Sequence, residues 1–230
     1  MTSRVAYLIG GSPAFAVTAP EFVTAAGGSD ARIALLMQGG PDWQKYVPEY
    51  TNPWLEQGVS HYDVIVPGAD GKLDLQNVLP TLQQATGIFV GGGHTPTYHL
   101  LYATEPVRSI IRQQYEKGIP FAGVSAGALI ACEYGLFSAA ESSDGALHVV
   151  KSLGLLHDLV IGVHFSELNA LPDMLEAMAR TKIAGGWGID EAACAVFQDG
   201  RFKKALGQDV YRIVMTDWEN KTYHQERVAR

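Results

Sequence analysis

The chain has 230 residues, 47% hydrophobic and 18% charged, with a formal net charge of −7. That length supports one large core and is short for two independent domains, so a single domain over 1–230 is expected. The acidic balance disfavours phosphate backbones and anionic lipid, and excludes nucleic acid and membrane surfaces as expected partners.

The first residues lead directly into Val5-Ala6-Tyr7-Leu8-Ile9, with neither the long apolar core of a signal peptide nor a membrane span of roughly 20 residues. Continuous apolar runs at 5–9, 33–37, 64–66, 88–90, 120–124 and 159–163 fit strands buried on both faces. Helical spacing separates them. Residues 74–84 carry it weakly, because Pro80 predicts a break or kink. Residues 105–117 carry it clearly, placing Val107, Ile110, Ile111 and Tyr115 on one stripe, with Gly118 where a C-cap belongs. A further helical stretch is expected from about Ser166. This alternation predicts an α/β fold, a doubly wound, mostly parallel sheet with helices on both faces. Segments 192–197 and 211–215, with a turn at Asp199-Gly200, predict a small antiparallel C-terminal edge.

The motif with the most chemistry is Gly123-Val124-Ser125-Ala126-Gly127, between a buried strand and the small-residue run 126–132, which predicts a helix. Glycines two before and two after a serine permit a turn too tight for side chains, which exposes the hydroxyl at the sheet's carboxyl edge. Ser125 is therefore the candidate nucleophile. The N–H of Ala126 and the helix start would favour a developing oxyanion. Gly91-Gly92-Gly93-His94 follows another strand and lacks the Gly-Lys-Ser/Thr ending of a phosphate loop. It reads equally as a tight turn or as the source of a second oxyanion donor.

A serine nucleophile needs a base, and the sequence offers seven histidines. His164 ends the run 159–163, where active residues of open α/β sheets gather, while His94 and His99 follow the glycine loop. Periodicity leaves the orienting acid open among Glu141, Asp144, Glu167, Asp190 and Glu191. Cys132 and Cys194 lie far apart in apolar stretches and predict buried reduced thiols. With no leader or span, they point to a cytoplasmic protein. No metal-ligand spacing such as His-Glu-x-x-His occurs, and no metal or cofactor is expected.

Four segments in order, Ile88-Phe89-Val90-Gly91-Gly92-Gly93, the Ser125 turn, Val163-His164-Phe165-Ser166-Glu167 and Gly188-Ile189-Asp190-Glu191, make the chain resemble a known family. It is similar over most of its length to the dipeptidase E and cyanophycinase family of serine peptidases. The resemblance implies a flavodoxin-like, class I glutamine amidotransferase-like fold. It also implies a Ser125-His164-Glu191 triad, with the N–H groups of Gly92 and Ala126 as oxyanion hole. The order Ser, His, Glu differs from the Ser, acid, His order of α/β-hydrolases. Serine at the elbow also departs from glutamine amidotransferases, which use cysteine there.

Cyanophycinase-like members carry an acid-containing pair before the histidine and arginines after it. Here Gly162-Val163 precedes His164, and no arginine follows until Arg180. Arginine is the natural receptor for an aspartyl carboxylate, so cyanophycin is not the expected substrate. The expected function is hydrolysis of dipeptides or short peptides. An esterase or amidase, or a silent binding protein on the same fold, is the alternative. His94, Tyr98 and Trp187 are the candidate substrate contacts, and apolar outer helices would permit a homodimer.

Overall fold

The computed structural model describes residues 2–228. Its first half alternates strand and helix: β1 (Val5–Ile9), α1 (Phe15–Ala26), β2 (Arg32–Leu36), α2 (Val47–Leu55), β3 (His61–Ile65) and α3 (Leu75–Gln84). β4 (Gly87–Val90), α4 (Thr95–Tyr102), α5 (Val107–Glu116) and β5 (Phe121–Val124) complete it. Then come α6 (Ala126–Leu129), β6 (Tyr134–Phe137), β7 (His148–Lys151), β8 (Leu159–Val163), α7 (Leu171–Thr181) and β9 (Gly185–Ile189). The chain ends with β10 (Ala193–Gln198), β11 (Arg201–Gly207), β12 (Val210–Asp217) and β13 (Thr222–Val228).

Seven strands form the main sheet in the order β11-β10-β1-β5-β4-β2-β3. Its five central and distal strands are parallel, as crossover helices require, and β10 adds antiparallel to β1. The β10–β11 hairpin turns at Asp199-Gly200, whose φ values of 50° and 79° suit a two-residue turn of type I′. One face packs Phe22, Trp54 and Phe89 beneath α1 and α2; the other packs Leu82, Ile111 and Tyr102 beneath α3, α5 and α4. This is the doubly wound arrangement expected.

Two strands are placed differently from the expectation. The segment 211–215 does not join 192–197 in one edge. The turn at Asp199-Gly200 leads into β11, and 211–215 lies in β12, which pairs with β9 and β13 because the chain crosses to a second sheet after β11. β8 is buried on both faces, yet it also belongs to this second, four-stranded sheet, in the order β13-β12-β9-β8. Leu159, Ile161 and Val163 join the core shared with the main sheet, while Val160 faces α7 with Met174 and Met178. Two-sided burial records only that something lies above and below, so it cannot name the sheet.

Pro80 does not break α3. Asp74 caps its start by accepting the Gln76 N–H at 3.2 Å, and Gln114 Nε2 donates to the carbonyls of Leu82 and Gln83 at its end. With Val78 and Leu82 buried as well, these contacts offset a proline cost of about 3 kcal/mol. The helix expected from about Ser166 begins instead at Leu171, since His164 and Asn169 adopt left-handed backbone at φ 45° and 49°. α6 stops at Leu129 rather than reaching Cys132, which makes an isolated parallel bridge to Leu156.

Cys132 and Cys194 are buried free thiols; burial pushes Cys194 up to about 12 and Cys132 higher still. Among the described residues no helix is long and apolar enough to cross a membrane.

Candidate active site

β5 feeds into Ser125, which adopts φ 50° and ψ −113°, a region costing a side-chain-bearing residue about 1–3 kcal/mol. Neighbours hold it there. The Ser125 N–H donates to the Ile9 carbonyl at 2.9 Å, and its own carbonyl accepts from Ala128 and Leu129 at 3.0 Å. A Cβ on Gly123 would lie 2.4 Å from the Gly127 carbonyl oxygen, and one on Gly127 would lie 2.3 Å from that of Val90. Both flanking glycines are thus required by close backbone approach.

His164 follows β8 and also has positive φ, 45°. Its Nε2 lies 2.9 Å from Ser125 Oγ, and its Nδ1 lies 3.0 Å from Glu191 Oε1. The three residues leave the carboxyl ends of β5, β8 and β9, so both sheets contribute. The competing acids have other work. Asp190, buried, accepts the Ser166 N–H at 3.0 Å, and Glu167 accepts the Glu191 N–H at 3.2 Å. Glu141 Oε1 accepts the N–H and hydroxyl of Thr95, both at 2.8 Å, and Asp144 pairs with His148. His99 is likewise tied elsewhere, its Nε2 lying 2.8 Å from the Lys151 carbonyl.

The glycine loop lies against the elbow: a Cβ on Gly92 would be 3.2 Å from Ser125 Cβ, and the Gly127 N–H donates to the Gly91 carbonyl at 3.1 Å. Two buried tyrosines grip it from behind. The Gly92 N–H donates to the Tyr50 hydroxyl at 3.2 Å, and the Tyr98 hydroxyl donates to the Gly92 carbonyl at 3.0 Å. Burial pushes both phenols above their ordinary range, so both hydroxyls stay protonated, Tyr50 accepting and Tyr98 donating. This corrects the expectation for Gly92, whose N–H faces Tyr50. In a trans peptide the N–H points opposite the carbonyl, so the Gly93 N–H points away from Tyr98. Gly93 lines the cleft with Ser125. The Ala126 N–H stands at the first helical position, where no intrahelical acceptor exists. α6 has only four residues, so this local N–H carries the effect expected of a helix start.

Ser125 opens into a cleft of about 710 Å³. Leu129, Leu136, Ile161, Val163 and Met174 supply apolar walls; Glu141 and Asp173 are acidic lining residues, and no Lys or Arg among the described residues lines it. Gly162 shapes this wall, because a Cβ there would meet Met174 Sδ at 2.3 Å. The methionine fills the space that a side chain before Val163 would need.

The three candidate substrate contacts do not line the cleft. Tyr98 is buried behind the glycine loop. Trp187 stacks on Phe202, with centroids 4.0 Å apart, and lines a different cavity. His94 Nδ1 lies 2.9 Å from Thr97 Oγ1 and its Nε2 lies 3.0 Å from the Glu141 carbonyl oxygen, so the ring brackets the loop around Glu141. Sequence reasoning missed Tyr50 and Asp173. Neither sits in a motif, and only the fold brings them to the site.

Comparison with known proteins gives this geometry a context. A cyanophycinase from Synechococcus elongatus is 27% identical over 197 residues, covering 84% of this chain and 61% of that protein. The chain therefore spans about three fifths of the length of that relative. Cyanophycinase from Geminocystis herdmanii (strain PCC 6308) is 29% identical over 218 residues, covering 91% of this chain and 78% of the relative. The uncharacterized peptidase YgaJ of Bacillus subtilis (strain 168) is 24% identical, covering 82% of this chain and 80% of YgaJ.

Among solved structures, a peptidase from an acI-B1 Actinobacterium superposes with a TM-score of 0.71 at 14% identity, covering 99% of this chain and 97% of its own. A putative peptidase E protein from Listeria monocytogenes EGD-e gives 0.62 at 14% identity, covering 99% and 100%. These likenesses establish the shared fold. The family model for peptidase family S51 matches residues 7–205, and the chain belongs to that family.

Proposed function

We propose that the protein is a serine peptidase cleaving dipeptides or short peptides through Ser125, His164 and Glu191. The supporting observation is the continuous hydrogen-bond chain from Ser125 Oγ through both His164 nitrogens to Glu191, at 2.9 and 3.0 Å. In this reading Ser125 Oγ attacks the peptide carbonyl carbon and its proton passes to His164 Nε2. Glu191 holds Nδ1 protonated and stabilises the resulting imidazolium. The tetrahedral oxyanion is received by the N–H groups of Gly93 and Ala126. The C–N bond then breaks, and the amine leaves with the proton from His164. Water attacks the acyl-enzyme, gives a proton to His164, and the ester bond breaks to return the hydroxyl of Ser125.

Cyanophycin is not the proposed substrate, although cyanophycinases are among the relatives. Among the described residues the cleft offers no arginine fork for an aspartyl carboxylate, and its lining acids would repel one. Chromogenic short peptides and matched esters, assayed with the wild type and His164→Ala, test the proposal. Peptide turnover is expected, with kcat lowered roughly 10⁴-fold in His164→Ala. Rapid ester cleavage without any peptide cleavage would overturn the peptidase reading. Absence of all turnover would favour a silent binding protein.

A further inference from the structure

We propose that Asp173 selects peptides carrying a side chain with an aliphatic stem and a cationic end, that of lysine or arginine. The proposal rests on the peptidase reading above and names the substrate class of the same cleft.

The cleft joins two chemistries. Its walls are Leu129, Leu136, Ile161, Val163 and Met174, and its rim carries Leu168, 71% exposed. Such walls favour burial of methylene groups. Among the described residues its lining carries two carboxylates, Glu141 and Asp173, and no Lys or Arg. Glu141 is already satisfied: one oxygen binds Thr95, and the other lies 3.1 Å from the Ser138 hydroxyl, which donates to it. Asp173 differs. It is half-buried in the first turn of α7, lines the cleft, and has no hydrogen bond or ion pair with a protein group among the described residues. A carboxylate beside apolar walls gains most from a cation brought by the ligand. A lysine or arginine side chain supplies both parts, stem against the walls and charge on the carboxylate. An acidic side chain would meet two carboxylates and, among the described residues, no lysine or arginine.

Asp173 also sits where a carboxylate favours the positive end of α7. That role alone would affect stability without sorting substrates by charge. Binding to Ser125→Ala protein separates the two, because it reads preference without requiring turnover. Calorimetry would compare short peptides containing lysine, arginine, norleucine, citrulline or glutamate, each with a free and an acetylated N-terminus. The expected result is about 10- to 100-fold tighter binding of lysine and arginine peptides than of norleucine and citrulline peptides. That ratio should collapse towards one in Ser125→Ala/Asp173→Asn, and Ser125→Ala/Asp173→Lys should favour glutamate.

Equal affinities across the series, or a ratio unchanged in Asp173→Asn, would overturn the proposal. A preference that follows the free N-terminal amine instead of the side chain would overturn it too. Wild-type turnover of the norleucine peptide, measured in parallel, tests the peptidase reading separately.

Discussion

Replacing Ser125 with alanine is expected to lower kcat/KM on any cleaved peptide by about 10⁴-fold or more, with thermal stability almost unchanged. The substitution removes only the hydroxyl, which lies 2.9 Å from His164 Nε2. The backbone bonds that hold the elbow come from main-chain groups of Ile9, Ala128 and Leu129, and alanine keeps them. Peptide kinetics and a melting curve on the same preparation check both halves. Activity within tenfold of wild type would remove Ser125 from the mechanism.

Gly127→Ala should damage fold and activity together. Its Cβ would need space held by the Val90 carbonyl oxygen, 2.3 Å away, and that atom is backbone of a buried strand. Overpacking of this kind costs about 1–3 kcal/mol. Relief requires α6 to move away from β4, which strains the bond from the Gly127 N–H to the Gly91 carbonyl. The elbow and the glycine loop would then separate, taking the Ala126 and Gly93 N–H groups out of register. A lower denaturant midpoint with at least a hundredfold loss of kcat/KM is expected, since oxyanion donors carry effects of roughly 10²–10³. Wild-type stability would show that the close approach is not required.

Much of this fold is legible in the sequence, because parallel strands buried on both faces leave continuous apolar runs. The runs at Val5–Ile9 and Leu159–Val163 coincide with β1 and β8. Sheet membership is less legible. β8 carries the same signal as β1 yet lies in the second sheet, because it pairs with β9, while α7 on one face and the shared core on the other give it the same two-sided burial. Pro80 misleads for a related reason: the caps from Asp74 and Gln114 come from outside the local pattern.

At the site, Ser125 is legible from glycine spacing and His164 from its place at a strand end. Glu191 is not separable from Asp190 by spacing, since the choice depends on which carboxylate turns to Ser166 and which to His164. The shift from Gly92 to Gly93 turns on which way one peptide plane faces. Tyr98 and Trp187 stand close in sequence to the glycine loop and to Glu191, yet neither lines the cleft. Their facing depends on helix orientation and strand register, which the sequence does not state.

If Ser125 is a nucleophile activated by His164 on its strained, glycine-flanked turn, it is open to covalent capture. Treatment with a fluorophosphonate, followed by peptide mass spectrometry, tests it most directly. One adduct is expected, on Ser125, absent from Ser125→Ala and much reduced in His164→Ala. No adduct under conditions that label a control serine hydrolase, or an adduct on another residue, would contradict it.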